Sequence, residues 1–128
     1  MALIVLDSSV VIAHVDRSDA LHASARQAML ELENDDLLLP ATAYAEVLVG
    51  PARRGDLPAA RARVAELGLE IVPIDGRIAE RAAALRAERP ALRLPDALVL
   101  ACGDVLDAHA VVTGDRRLRP FPRVRVIG

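Results

Sequence analysis

The stretch LIVLDSSVVIA, residues 3–13, sets one carboxylate, Asp7, inside an apolar run and follows it with two hydroxyls, Ser8 and Ser9. Leu3 to Leu6 is too short for a helix and wholly aliphatic, as expected of a strand buried on both faces of a parallel sheet. Asp7 then falls at the carboxyl end of that strand. Ser8 or Ser9 is placed to cap a helix running to about Val15.

The same alternation continues along the chain. Asp19 is placed to cap a helix over ALHASARQAMLELE (residues 20–33), and Leu37 to Leu39 forms a second short strand ending at Pro40. ATAYAEVLVG (residues 41–50) reads as a helix closed by Gly50 and Pro51, and Leu57 to Leu67 as another closed by Gly68. Leu69 to Ile74 supplies a third strand. RIAERAAALRAE (residues 77–88) is a helix that stops before Pro90, and PDALVLACGDVLDA (residues 95–108) begins the next with Pro95 in its first turn. Ala110 to Thr113 and Val124 to Ile127 read as the last two strands. Strands alternating with helices define an open α/β sandwich with a mostly parallel sheet of about five strands, where ligands gather at the strands' carboxyl ends. Asp7 lies at such an end, and so does Asp115 in VVTGD (residues 111–115).

Composition narrows the chemistry. A chain of 128 residues, 53% hydrophobic and 27% charged, suits one compact domain over residues 1–128 with a real core. There is no internal repeat or linker. One cysteine, Cys102, and three scattered histidines, His14, His22 and His109, allow neither a disulfide framework nor a zinc cluster. They read as packing or capping residues. No apolar segment approaches the ~20 residues of a membrane span, and the first strand lacks a basic leader, so the expectation is a cytoplasmic protein without a membrane partner. All sixteen basic residues are arginines. Without lysine, a Walker-type phosphate loop, Schiff-base chemistry, and the receiver-domain or haloacid-dehalogenase phosphatase sites are excluded.

Four carboxylates stand out by context: Asp7 after the first strand, Glu46 in an otherwise apolar helix, Asp96 in the first turn of LPDALVLA, and Asp115 after VVTG. Each has an ordinary reading, as a helix cap, a first-turn acid, a turn residue or a solvated side chain. Taken together, two acids at strand ends and two on helices can converge at one end of a parallel sheet. Converging carboxylates raise one another's pKa values unless a cation compensates. Mg²⁺, with its preference for oxygen ligands, is the natural cation, and Mn²⁺ accepts the same ligands. Such an ion can activate water and neutralise charge on a phosphate, which points to phosphodiester hydrolysis. Asp104 lies two turns beyond Asp96, ~12 Å at 1.5 Å per residue, so neither it nor Asp107 is expected to share the ion.

In these segments, from IVLDSSVVIA through PATAYAEVLVG and LRLPDALVLACG to AVVTGDRRL, the chain resembles the PIN domains, and among them the VapC toxins of type II toxin–antitoxin modules. The resemblance spans essentially the whole chain. It implies a PIN-like three-layer α/β/α sandwich and a Mg²⁺- or Mn²⁺-dependent endoribonuclease that hydrolyses RNA with a metal-activated water. It also implies a homodimer held inactive by a cognate VapB-like antitoxin. Carried over residue by residue, Asp7 and Asp96 match the direct metal ligands. Glu46 and Asp115 match acids that ligate, act through water or orient the attacking water. Ser9 and Thr113 match small polar positions supporting the acids, although a helix cap and a strand residue are equally ordinary readings of them. The chain departs from the family pattern at one point: relatives resembling TGDRD carry a further acid where this chain has Arg117, which weakens the case for a second metal.

RNA is polyanionic and the formal net charge is −2, so attraction has to be local. Arg116, Arg117, Arg119, Arg123 and Arg125 follow Asp115 directly, and Arg53 and Arg54 form a second patch; arginine forks suit phosphates, while a solvated charged face is the alternative. Tyr44 and Phe121 are the only aromatics, leaving little for base stacking. The apolar helices around Glu46 and Leu57 to Leu67 offer a groove for an antitoxin segment, and the family resemblance implies an antitoxin arginine entering the acidic site. Two other functions keep the same fold: a housekeeping RNA-processing nuclease without an antitoxin, and a non-catalytic RNA- or protein-binding module. The presence of all four acids argues against the last.

Overall fold

A computed structural model describes residues 1–128. In chain order the elements are β1 (Leu3–Leu6), α1 (Ser8–Val15), α2 (His22–Glu31), β2 (Asp36–Pro40), α3 (Ala41–Arg53), α4 (Leu57–Ala65), β3 (Glu70–Val72), α5 (Gly76–Glu88), α6 (Leu94–Val105), β4 (Ala110–Thr113), a 3-10 turn (Arg116–Leu118) and β5 (Val124–Val126). The five strands form one sheet in the order β3-β2-β1-β4-β5, and every pairing is parallel. The expected "mostly parallel" sheet is thus parallel throughout.

The strand order explains where a site can form. From β1 the chain moves outward to β2 and β3, then returns across the sheet to β4 on the other side of β1. Right-handed crossovers in opposite directions put their helices on opposite faces. Accordingly α1 to α4 pack among themselves as one layer and α5 packs on α6 as the other, giving a three-layer α/β/α sandwich. The winding reverses between β1 and β4, and the carboxyl ends of strands flanking such a reversal open onto a crevice. Asp7 and Asp115 emerge there.

The aliphatic character of the central strands follows from double-sided burial: Ile4, Val5, Leu6, Val111 and Val112 are all at most 1% exposed. Cys102 is fully buried in the same core, and loss of solvation, with a contribution from Asp75, pushes its thiol up to about 11, so it behaves as a small inert hydrophobe. No helix is long and apolar enough to cross a membrane. Of the three histidines, His22 contacts the Ala13 carbonyl through Nδ1 at 2.7 Å, joining α2 to α1, while His109 is exposed. Burial, with His22 and Arg26 nearby, holds the His14 pKa below its ordinary value.

Several boundaries differ from those read in the sequence. Helix α3 does not close at Gly50 and Pro51 but continues to Arg53. Pro51 lies in the final turn, where its missing N–H costs only one intrahelical bond, and the reversal is made at Gly55, whose φ is +71°. The cap of α1 is Asp7 itself, which accepts the Ser8 N–H, rather than Ser8 or Ser9. Asp19 shapes the turn before α2 by accepting the Leu21 N–H, and the helix starts at His22. Helix α4 ends at Ala65, and β3 and β5 are three residues each, shorter than the apolar runs that contain them. Those runs extend past the last residue that has a pairing neighbour.

Candidate metal centre

Asp7 is held by three donors although it is only 6% exposed. Its Oδ1 accepts the Ser8 N–H at 2.9 Å, and its Oδ2 accepts the hydroxyls of Ser9 and Thr113, both at 2.8 Å. Charged hydrogen bonds of this kind offset the desolvation of a carboxylate. The two hydroxyls also accept bonds from beyond β4: Ser9 Oγ from the Gly114 N–H at 2.9 Å, and Thr113 Oγ1, fully buried, from the Asp115 N–H at 3.0 Å. Ser9 and Thr113 therefore clamp the end of β1 to the end of β4. Gly114 permits this closeness, since a Cβ there would stand 2.7 Å from Leu21 Cδ1 and 3.4 Å from Ser9 Oγ.

Asp96 sits in the first turn of α6, 9% exposed, where an acid faces the helix's positive end. Arg93 donates from Nε to its Oδ2 at 3.2 Å. Burial nevertheless pushes the Asp96 carboxyl above its ordinary range; Arg93 opposes this, and Asp7 and Asp115 reinforce it. Glu46, on α3, is raised as well, first by burial, then by repulsion from Asp7 and Asp96, with Arg93 opposing. Asp115 caps the 3-10 turn through the Arg117 N–H, and the Arg117 guanidinium grips it in a fork, Nε to Oδ1 at 3.0 Å and Nη2 to Oδ2 at 2.8 Å. That contact holds the Asp115 carboxyl below its usual range, against the opposing effect of burial.

Glu46 feels Asp7 and Asp96, and Asp96 feels Asp7 and Asp115, so Asp96 lies within electrostatic reach of both strand-end acids and of Glu46. No three of them stand in a ready ligating group in this structure; Asp96 and Asp115 are instead engaged by Arg93 and Arg117. The donor set is all oxygen, carboxylates backed by hydroxyls, and Asp96 and Glu46 stay raised by burial and neighbouring acids despite Arg93. A hard divalent cation suits that chemistry.

Arg93 was not singled out from sequence, yet it touches Asp96 and acts on Glu46 and Asp115. Its signal was the i,i+3 spacing to Asp96 across a helix start. The other arginines divide. Arg123 pairs with Asp104 and Asp107 and donates to the Ala108 carbonyl, and Arg125 reaches Glu31 at 3.5 Å. Asp104 is also taken by Arg81 at 2.8 Å. Arg116, Arg119, Arg53 and Arg54 are exposed and make no ion pair. Between α1 and α3 a groove of about 510 Å³ runs past Val15, Val47 and Pro51, with Glu46, Arg54 and Arg63 on its edge.

The profile of the PIN domain matches residues 4–125, and the chain belongs to the PIN domain family. No curated protein sequence matches it. Among solved structures, it is similar to a chain of a toxin–antitoxin complex from Klebsiella pneumoniae, with 27% identity, 96% of each chain covered and a TM-score of 0.78. A VapBC complex from Rickettsia felis bound to a fragment of its promoter DNA shares the fold at 14% identity, with 98% and 99% coverage and a TM-score of 0.79. So does a sarcin-ricin-loop-cleaving VapC toxin from Mycobacterium tuberculosis, at 17% identity and the same coverage and TM-score.

Proposed function

We propose that the protein is the toxin of a type II toxin–antitoxin module, an endoribonuclease that hydrolyses RNA phosphodiester bonds with Mg²⁺ or Mn²⁺ at Asp7, Asp96, Asp115 and Glu46. The observation that carries this reading is the placement of the acids: Asp7, held by Ser9 and Thr113, and Asp115 leave the carboxyl ends of the two strands that flank the winding reversal, and Asp96 and Glu46, both raised chiefly by burial, lie within electrostatic reach of Asp7. A bound ion would supply charge neutralisation at the phosphate and a more acidic water.

The chain's own residues do the rest. Ser9 and Thr113 fix the rotamer of Asp7 by donating to the same oxygen, so Oδ2 is oriented before any ligand arrives. Glu46, exposed on α3 with its carboxyl raised, is suited to accept a proton from an attacking water. Arg93 and Arg117, beside Asp96 and Asp115, place two guanidiniums where a phosphate's charge would sit once they release the acids. Arg116, Arg119, Arg53 and Arg54 supply local positive charge for the RNA backbone on a molecule of net charge −2.

The partner is read as a VapB-like antitoxin, and the assembly as a homodimer. The likeness at 27% identity to a toxin–antitoxin complex supports the first, and the groove between α1 and α3, with Glu46 on its edge, gives an antitoxin segment a route to the acids. The test combines Asp7→Asn with Asp96→Asn. Removing one preorganised electrostatic partner costs about 10²–10³ in rate, so the double variant should lose growth arrest on expression and Mg²⁺-dependent RNA cleavage. A double variant that cuts RNA as fast as the parent would overturn the site.

A further inference from the structure

Next to the acids, the loop between α5 and α6 faces the 3-10 turn and its following loop across a cavity of about 330 Å³. Leu92, Leu118 and Phe121 give it an apolar floor, Arg89, Arg93 and Arg117 form its rim, and Asp96 closes one end. Leu92 and Leu118 are buried, while the three arginines are exposed. Pockets of this size, apolar with a few convergent polar groups, take small ligands or parts of larger ones.

The cavity is built from braced loops. The Arg86 Nε donates to the Leu92 carbonyl at 2.8 Å, the Leu92 N–H to the Arg89 carbonyl at 2.9 Å, and the Phe121 N–H to the Leu118 carbonyl at 3.1 Å. The sole phenylalanine of the chain stands here, and the Arg89 guanidinium lies 4.6 Å from its ring centroid. Arg89 makes no ion pair. Arg93 spends only Nε on Asp96, and its side chain is 64% exposed, so its two terminal amino groups are free.

We infer that this cavity is a nucleotide subsite, holding the base of the nucleotide next to the scissile phosphodiester and one flanking phosphate. The inference rests on the RNA-cleaving reading above and adds the residues that would grip the strand. A flat base can lie against Leu92 and Phe121, with the Arg89 plane held ready for stacking by the ring beneath it. The free amino groups of Arg93 can take the phosphate. With Arg93 paired to Asp96 and Arg117 to Asp115, the unpaired Arg89 leaves the rim one net positive charge, which favours a polyanionic strand over a basic peptide. The arrangement also answers the scarcity of aromatics, because an arginine stacked on a single phenylalanine provides the platform.

The experiment measures fluorescence anisotropy of a fluorescein-labelled eight-nucleotide single-stranded RNA on the full chain carrying Asp7→Asn, so that binding is read without cleavage. Arg89→Ala and Phe121→Leu should each weaken binding about tenfold. Arg93→Ala, which removes the phosphate contact, should lower the slope of log K against log salt by about 0.7, which a merely structural role would not do. Arg61→Ala, on the exposed face of α4, serves as the control and should leave affinity unchanged. If the parent binds RNA and both variants bind it equally well, the subsite is wrong while the cleavage reading stands. Unchanged RNA affinity with lost affinity for the antitoxin would make the cavity a protein-docking site and overturn the proposal. A wild-type chain that neither binds nor cleaves RNA would remove both readings together.

Discussion

Asp7 serves two purposes with one side chain: Oδ1 caps α1, while Oδ2 is pinned by Ser9 and Thr113 at the edge of the acidic space. Glu46 has the opposite surroundings, with no hydrogen-bond donor and two acids acting on it, so its carboxyl is raised by burial and by Asp7 and Asp96. Because folding raises that pKa, the folded state binds the proton more tightly than the unfolded one, and ionised Glu46 opposes folding near neutrality. Glu46→Gln should therefore raise the urea midpoint of the metal-free protein at pH 7. The advantage over the parent should shrink as pH falls through the raised value and vanish below about 4.5, the ordinary glutamate value. A variant less stable than the parent at pH 7 would show that Glu46 has a compensating partner. At this scale the four acids were legible because each interrupts an apolar context, whereas Arg93 and Arg89 were not, because an exposed arginine near a helix end looks like any solvated charge.

Helix α6 carries Asp96 into place, and its position depends on how closely it approaches β4. A Cβ on Gly103 would stand 2.5 Å from Val111 Cγ2, a side chain rooted in a central strand and therefore unable to swing aside. Gly103→Ala should push α6 off the sheet, costing about 1–3 kcal/mol in chemical denaturation, and should weaken divalent-ion binding because Asp96 moves with the helix. Unaltered stability would mean that α6 can slide without loss. The elements themselves were readable from periodicity, and their ends were not. Gly50 and Pro51 looked like a stop, but a helix closes where its last carbonyls find donors, and those donors are supplied by Arg54 and Gly55. Likewise the apolar runs at residues 69–74 and 124–127 overstate β3 and β5, because strand length is set by the neighbour available for pairing.

Across the whole molecule, ionised Asp96 and Glu46, both raised, are a stability cost that a bound cation can relieve. Mg²⁺ that binds the folded chain and not the unfolded one should stabilise it by about 2.7 kcal/mol at a hundred times its dissociation constant. Thermal unfolding in Mg²⁺ against a chelator should show this as a rise of several degrees, lost in the variant with Asp7→Asn and Asp96→Asn. Equal melting temperatures in both buffers would argue against the ion. Net charge says little about RNA, since Arg123 and Arg125 are consumed by Asp104, Asp107 and Glu31 and only part of the arginine-rich tail remains free. The sequence alone determined the α/β class, the strand ends at which Asp7 and Asp115 appear, and the presence of four contextual acids, because short-range periodicity and double-sided burial are written locally. Only the tertiary structure decided that β4 lies beside β1, that Ser9 and Thr113 share one oxygen of Asp7 across 104 residues of chain, and that Arg93, Arg117 and Phe121 gather at Asp96. Those relations come from strand order and from the close approach of helices to the sheet, for which no local pattern of residues encodes a partner.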